Sequence, residues 1–318
     1  VMAAVNTTGS RTDEQPTGDA PFVSGFVTLL GVPNVGKSTL LNRLLGGKVA
    51  IVSPKPQTTR DRILGVITAP GGQIVLLDTP GIHDTDRALN SYMVRQAFAA
   101  LGDADVAVLV VDAAAAARGR GAADQETEIA ERAVELEIPL VVCLNKIDLV
   151  ADKSALLPLM EPWREARAVV PLSALEGDGV DRLLGELWPL LPEGPAYFDG
   201  DSLTDRSLRW LAGEAIREQV FLLTRKEIPY STAVQVEKFL ERPDRGDVVV
   251  EAVVFVERQS QKGIVVGRGG QKVKEIGTAA RLELARLLER PVHLTLRVAV
   301  ASDWARSPAG MRRVGYEP

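Results

Sequence analysis

Eight consecutive residues, Gly31-Val32-Pro33-Asn34-Val35-Gly36-Lys37-Ser38, have the types and spacing to hold a nucleoside triphosphate. They fit G-x-x-x-x-G-K-[ST], in which glycines let backbone N–H groups turn inward around phosphate oxygens. Lys37 would reach the β- and γ-phosphates, and the Ser38 hydroxyl would ligate Mg²⁺. Such a loop needs a strand before it and a helix after it. Residues 22–30 are apolar and partly β-branched, and Leu40, Leu41, Leu44 and Leu45 recur at helical spacing.

Downstream, residues 46–62 show no periodicity and centre on Ser53-Pro-Lys-Pro-Gln-Thr-Thr-Arg60. A loop of this length inside a compact domain usually carries function. In a nucleotide switch it brings a threonine to Mg²⁺ when the γ-phosphate is present; Thr58 and Thr59 are the candidates, with Thr59 favoured. Strand-like residues 63–68 and 73–77 flank the turn Pro70-Gly71-Gly72, and the second strand runs into Asp78-Thr79-Pro80-Gly81. Asp78 is placed to hold Mg²⁺ through water, and the Gly81 N–H to meet the γ-phosphate. Ile82 stands where Ras carries the glutamine that orients attacking water. Isoleucine cannot hydrogen-bond water, so slow intrinsic hydrolysis is expected.

The choice of base is written further along. Strands over 106–111 and 140–144 bracket a helix over 124–136, and the second strand ends in Asn145-Lys146-Ile147-Asp148. The Asp148 carboxylate can accept from guanine N1–H and N2–H₂, a donor pair adenine lacks, and a buried acceptor rejects the partner that leaves it unpaired. Asn145 would tie this segment to the phosphate loop, and the Lys146 stem would lie over the base. A strand over 169–172 leads into Ser173-Ala174-Leu175, whose N–H groups would face guanine O6. Motifs that each follow a strand's carboxyl end define a doubly wound, mostly parallel α/β sheet that binds GTP rather than ATP.

Composition sets the frame around these loops. The 318 residues suffice for two domains, and charge is divided between them: 17 Lys and Arg against 26 Asp and Glu in residues 1–200, but 20 against 16 in residues 201–318. The single Cys143 lies in an apolar run and reads as core, which excludes a disulfide framework and suits a reducing cytoplasm. Residues 1–20 read as a disordered tail, and no apolar run approaches the length of a membrane span. The stretch Ala113 to Gly121 reads as a loop or helix start without an assigned function.

The second half has a different grammar. Pro192 to Gly200 reads as a linker, followed by a helix over 208–223, strands over 232–240 and 248–256, and a period-two strand over 292–300 that puts His293 on its polar face in a structural role. Before the last strand, Gly267-Arg268-Gly269-Gly270 fits the GXXG loop that clamps a four-nucleotide backbone segment. A helix carrying Val273, Ile276, Ala280, Leu284 and Leu287 on one face follows it. Lys262, Arg268, Lys272 and Lys274 give this stretch four positive charges for phosphate.

Taken together, Gly31 to Ser38, Thr58-Thr59-Arg60, Asp78 to Gly81, Asn145 to Asp148, Ser173 to Leu175 and the GXXG loop resemble the translation-factor-related GTPases, and within their TrmE–Era–EngA-like branch the Era family. The resemblance runs from about Phe22 onward. It implies an α/β P-loop GTPase domain over 21–192, then a linker and an α+β type II KH domain over 193–318 with a core at about 222–301. GTP or GDP would contact Gly31 to Ser38, Asp78 to Ile82, Asn145 to Asp148 and Ser173 to Leu175. Mg²⁺ would be held by Ser38, Thr59 and Asp78, and catalysis would fall to Lys37, Thr59, Gly81 and Asn34. Asn34 matches an asparagine that holds K⁺ in related GTPases lacking the Ras glutamine. RNA would contact Lys262, Gly267, Arg268, Gly269, Gly270, Lys272 and Lys274, and in this family it is the 3′ end of 16S ribosomal RNA in the 30S subunit. The expected protein is a cytoplasmic monomer with peripheral contact to the inner face of the cell membrane, acting in small-subunit processing and assembly. The alternative is a GTP-regulated interaction protein of the membrane face or the cell cycle with incidental RNA binding.

Overall fold

In the computed structural model, residues 21–53, 55, 58–81, 96–97, 99–119 and 124–316 are described. The expectations for the tail 1–20, for Ile82 and for the end of the Ala113 to Gly121 stretch lie outside them.

Six apolar runs form one sheet: β1 (Val23–Leu30), β2 (Ile63–Ala69), β3 (Gly72–Asp78), β4 (Val106–Asp112), β5 (Leu140–Asn145) and β6 (Ala168–Pro171). Their order is β2-β3-β1-β4-β5-β6, with β2 antiparallel to β3 and every other pairing parallel. A central parallel strand buries both faces, and β4 shows how. Val106, Val108 and Val110 join one core cluster, while Ala107, Leu109 and Val111 join the cluster on the opposite face. The register sets Leu29 beside Asp78, Asp112 beside Asn145 and Leu144 beside Pro171. The loops that leave these strands therefore share one edge of the sheet, on either side of the point where strand order reverses.

Ala113–Ala117 is a short helix whose N-cap, Asp112, accepts from the Ala115 N–H at 2.9 Å, with Ala113 and Ala114 buried. Small side chains let it lie close against the sheet, which explains the alanine run. Pro192 to Gly200, read above as a linker, and the residues that follow it as far as Thr204 are strapped to β2 and β3. The Val66 N–H donates to the Leu203 carbonyl at 3.0 Å, and Gln73 Oε1 accepts from the Tyr197 and Phe198 N–H groups at 2.8 and 3.0 Å. Edge strand β2 needs partners for its free amides, and the strap covers it.

The second sheet has the order β7 (Thr232–Arg242), β8 (Asp247–Val256), β9 (Val292–Val300), antiparallel then parallel. The parallel crossover from β8 to β9 is made by two helices, Gln259–Val266 and Gln271–Leu287. Helix Leu208–Leu223 adds Ala212, Ala215, Ile216 and Val220 to the same core, and Ala301, Trp304, Met311 and Tyr316 build a cluster with Ala233. Packing thus extends on both sides of the expected 222–301: the helix before it covers the apolar face of the sheet, and the segment after it covers the end of the other face around Ala233 and Phe255. The same first helix gives Leu211 to the core of the large sheet, so it is shared between the two halves. His293 sits exposed on β9, 3.1 Å from Asp247 Oδ2. Cys143 is fully buried, and burial pushes its thiol pKa up.

Candidate functional site

The loop after β1 folds around three backbone positions that most residues avoid, Gly31 at φ 142°, Asn34 at φ 66° and Gly36 at φ 104°. A Cβ on Gly36 would lie 2.3 Å from Asn145 Nδ2, so only glycine admits that side chain. Asn145 uses the space to bind both neighbouring loops. Its Nδ2 donates to the Val35 carbonyl at 2.7 Å, and its Oδ1 accepts from the Ala174 N–H at 2.9 Å. Lys37 opens the first helix and curls back, its Nζ donating to the Gly31 and Val32 carbonyls at 2.9 and 3.1 Å. Burial brings the Lys37 pKa down to about 8, although Asp78 pulls the other way.

Beside it, three oxygen groups converge from the first helix, the loop before β2 and the end of β3. Ser38 Oγ lies 2.7 Å from Asp78 Oδ2 and 2.8 Å from Thr59 Oγ1, and Thr59 Oγ1 lies 3.1 Å from the same carboxylate oxygen. Burial holds the Asp78 pKa above the ordinary carboxylate value, against the pull of Lys37 and the two hydroxyls. The other oxygen, Asp78 Oδ1, is buried without a hydrogen-bond partner. Hydroxyl and carboxylate oxygens are the donors a hard cation takes, and an orphaned carboxylate oxygen is what Mg²⁺ or its water shell would satisfy. The residues fit the ion. Thr58 is turned away, its hydroxyl donating to the Lys55 carbonyl at 2.9 Å, so Thr59 is the threonine brought to Ser38 and Asp78. Thr79 is buried with its hydroxyl on the Leu29 carbonyl at 2.7 Å, and Pro80 is buried beside it. Gly81 presses on the phosphate loop so closely that a Cβ would come 2.9 Å from Pro33 Cα. Lys37, Ser38, Thr59 and Gly81 line a cavity of about 340 Å³ that also takes in Asn34, Thr58 and Lys146.

Lys146 adopts φ 65° and donates to Asp112 Oδ2 at 2.6 Å and to the Asn34 carbonyl at 2.5 Å. Asp112 was not legible as a site residue. It closes β4 and holds the lysine stem against the phosphate loop. The Ile147 N–H donates to the Leu172 carbonyl at 3.3 Å, and exposed Asp148 accepts from Ser173 Oγ at 2.6 Å. The expectation that Ser173, Ala174 and Leu175 all turn their amides to the base needs correction. The Ser173 N–H donates to the Asp178 carbonyl at 2.8 Å and the Ala174 N–H to Asn145, because buried amides in a tight turn must be paired.

In the second half, Gly267, Gly269 and Gly270 take φ of 74°, 58° and 78°, which brings the chain round between two helices. A Cβ on Gly267 would strike Lys272, at 2.6 Å from its Cβ, whereas one on Gly269 or Gly270 would meet nothing within 4 Å. The Gly267 and Gly270 amides donate to the Gly263 and Gly267 carbonyls, while Arg268 and Gly269 are exposed. Lys274 is exposed as well and Lys262 half-buried, while Lys272 is paired with Glu275 at 2.8 Å, which shares out part of the expected charge. Arg60 and Arg217 are buried between the two halves, a placement that no local pattern in the sequence signals.

A phosphate loop, a hydroxyl–carboxylate cluster and a guanine-type loop on one sheet edge, joined to a GXXG turn between the helices of a small mixed sheet, define a P-loop GTPase carrying a KH domain. Residues 26–146 match the family model described as 50S ribosome-binding GTPase, and residues 227–305 match the KH domain model. The chain belongs to the Era family of GTPases: it is 46% identical over 301 residues to GTPase Era of Geobacter metallireducens, covering 94% of this chain and 99% of that one. It is also 46% identical over 303 residues to GTPase Era of Xanthomonas oryzae pv. oryzae, covering 94% and 98%. The crystal structure of an Aquifex aeolicus Era variant bound to GDP·AlF4⁻ superposes with a TM-score of 0.87 at 40% identity, covering 93% of this chain and 100% of that one. The crystal structure of Era in complex with MgGDPNP and nucleotides 1506–1542 of 16S ribosomal RNA gives the same TM-score, identity and coverage.

Proposed function

We propose that this GTPase uses its KH domain to hold the 3′ end of 16S ribosomal RNA and acts as a GTP-driven switch in assembly of the 30S subunit. The observation that carries the reading is the convergence of Ser38, Thr59 and Asp78 in a chain that also presents an open GXXG turn. A relative of the same architecture holds MgGDPNP and that RNA segment together.

Lys37 exchanges its two loop carbonyls for phosphate oxygens when GTP arrives. Asp148 selects guanine, and Asn145 keeps the base loop locked to the phosphate loop while it does so. Ser38, Thr59 and Asp78 hold Mg²⁺, which when bound neutralises charge on the β- and γ-phosphates. The Gly81 N–H reports the γ-phosphate. Asn34, exposed at the cavity mouth, would hold K⁺, and that ion would supply further positive charge there. Arg268 and the Gly269 amide take RNA phosphates, with Lys262, Lys272 and Lys274 around them. Among the described residues no helix is long and apolar enough to cross a membrane.

The test is to crosslink the GTP- and GDP-bound forms to RNA and sequence what is captured. Enrichment of the 16S 3′ end with GTP supports the proposal, and an RNA population indifferent to nucleotide and sequence overturns it.

A further inference from the structure

The loop that carries Thr59 is clamped by the KH domain on both of its flanks. On one side Arg217, from helix Leu208–Leu223, donates through Nη2 to the Thr58 carbonyl at 2.5 Å. Arg217 is 2% exposed and is itself held by Glu214 at 2.6 Å, with its guanidinium 5.3 Å from the Phe221 ring centroid. On the other side the Arg60 side chain leaves the GTPase domain altogether. Its Nη1 donates to the Thr232 carbonyl at 2.6 Å and to the Tyr316 hydroxyl at 2.9 Å, and its Nη2 to the Pro229 and Tyr230 carbonyls at 3.1 and 3.3 Å. The Phe221, Trp304 and Tyr316 rings stand 5.6, 5.6 and 5.9 Å from the Arg60 guanidinium, which is 1% exposed at residue level.

A buried arginine with four oxygen partners and three aromatic faces is an anchor of fixed geometry, since a guanidinium loses little when its planar fork is already matched. Lysine could not replace it, having one nitrogen for acceptors spread over two. The residue so anchored is covalently next to Thr59, whose hydroxyl sits with Ser38 and Asp78. Further back along the loop, Lys48 pairs with Glu218 at 2.6 Å, and the Lys55 ammonium donates to the Phe221 and Thr224 carbonyls at the end of the same helix.

We infer that Arg60 and Arg217 are positioning residues for GTP hydrolysis: the KH domain grips both neighbours of Thr59 and so delivers its hydroxyl to the Mg²⁺ site. The inference rests on the reading of Thr59 as a Mg²⁺ ligand. It adds that the ligand is set in place from the other domain.

The full chain tests it through GTP turnover titrated with Mg²⁺, alongside GDP affinity. Thr59→Ala and Arg60→Ala should each lower kcat by about tenfold or more, as expected for a misplaced group, and raise the Mg²⁺ needed for half-maximal rate. GDP affinity should stay within about twofold, because a switch threonine is engaged only with the γ-phosphate. Arg60→Lys should fall between Arg60→Ala and the parent chain. The deciding variant is Thr59→Ala/Arg60→Ala. If Arg60 acts through Thr59, the double variant is no worse than Thr59→Ala alone, whereas independent effects multiply. Multiplying losses, or an Arg60→Ala protein with unaltered Mg²⁺ dependence, overturn the inference. A normal Thr59→Ala protein would instead remove the metal reading beneath it. Should Arg60→Ala not fold, Tyr316→Phe deletes one acceptor while keeping the ring. It should shift the Mg²⁺ dependence in the same direction, and an unshifted titration counts against the inference.

Discussion

Asp148 and Asn34 show what single side chains decide in this protein. Asp148 meets Ser173 through one oxygen and stands exposed at the sheet edge, and in the proposed function it accepts from a guanine edge. Asp148→Asn replaces an acceptor with a donor. Losing a charged hydrogen bond of this kind costs about 2–3 kcal/mol, on the order of 30- to 150-fold in GTP affinity. Xanthine nucleotides should gain in preference, and fluorescence competition between the two bases checks this; retained GTP affinity would mean that the pocket is misassigned. Asn34 contributes differently. It takes a left-handed backbone conformation at the cavity mouth while its carbonyl is engaged by Lys146, leaving its amide side chain to the solvent side. Replacing K⁺ with Na⁺ should slow GTP hydrolysis severalfold, and Asn34→Ala should abolish that ion dependence. Steady-state rates in matched salts read out both, and equal rates in the parent chain remove K⁺ from the account.

At the level of elements, the turn between β7 and β8 is closed by a bidentate pair, Arg242 Nε and Nη2 on Asp247 at 2.7 and 2.5 Å, with His293 on the same carboxylate. The Arg242 hydrogen bonds hold the Asp247 pKa below the ordinary carboxylate value. A carboxyl with a depressed folded-state pKa stabilises the fold above its unfolded pKa and loses that contribution as pH falls through the folded value. Asp247→Asn should therefore lower the urea midpoint at pH 7, and the gap to the parent chain should narrow as pH falls below about 4. A gap that does not change with pH would show that the charge is not what matters.

Elements were also where the sequence was most readable. Gly31 to Ser38 and Asn145 to Asp148 are contiguous runs whose spacing is set by one turn of backbone, so residue types alone reveal them. The strands of both sheets announced themselves by apolar runs or alternation for the same local reason. Asp112 and Arg217 did not. Asp112 meets Lys146 across 34 positions, and Arg217 meets Thr58 across 159, so only the folded chain brings them together. Arg60 stood in full view beside the threonines, but nothing local distinguishes a buried arginine from a solvated one.

Across the whole molecule, nucleotide and RNA surfaces lie on different sheets, which lets them be perturbed apart. Gly269 has open space around its α-carbon and φ 58°, a conformation that aspartate tolerates better than most residues. Gly269→Asp should therefore fold, abolish binding of single-stranded RNA, and leave GTP affinity intact. Arg268→Ala should weaken RNA binding and make its salt dependence shallower by about one unit of slope. Filter binding across a salt series checks both, and unchanged RNA affinity in Gly269→Asp would take the KH clamp out of the account. The anchoring of Arg60 has a consequence of another kind, in the order in which the protein is made. Tyr316 follows Arg60 by 256 positions, and Trp304 is nearly as distant. At 5–20 residues per second, a ribosome needs roughly 10–50 s to get from one to the other. In the later part of that interval, once β6 has been made, the nascent chain would have a phosphate loop, a sheet to hold it and a switch segment whose arginine lacks the Trp304 and Tyr316 faces of its cage. If Arg60 sets Thr59 in place as inferred above, the newborn enzyme would take up GTP before it could spend it well, and would become competent only as the aromatic residues after 300 emerge and fold back onto its beginning.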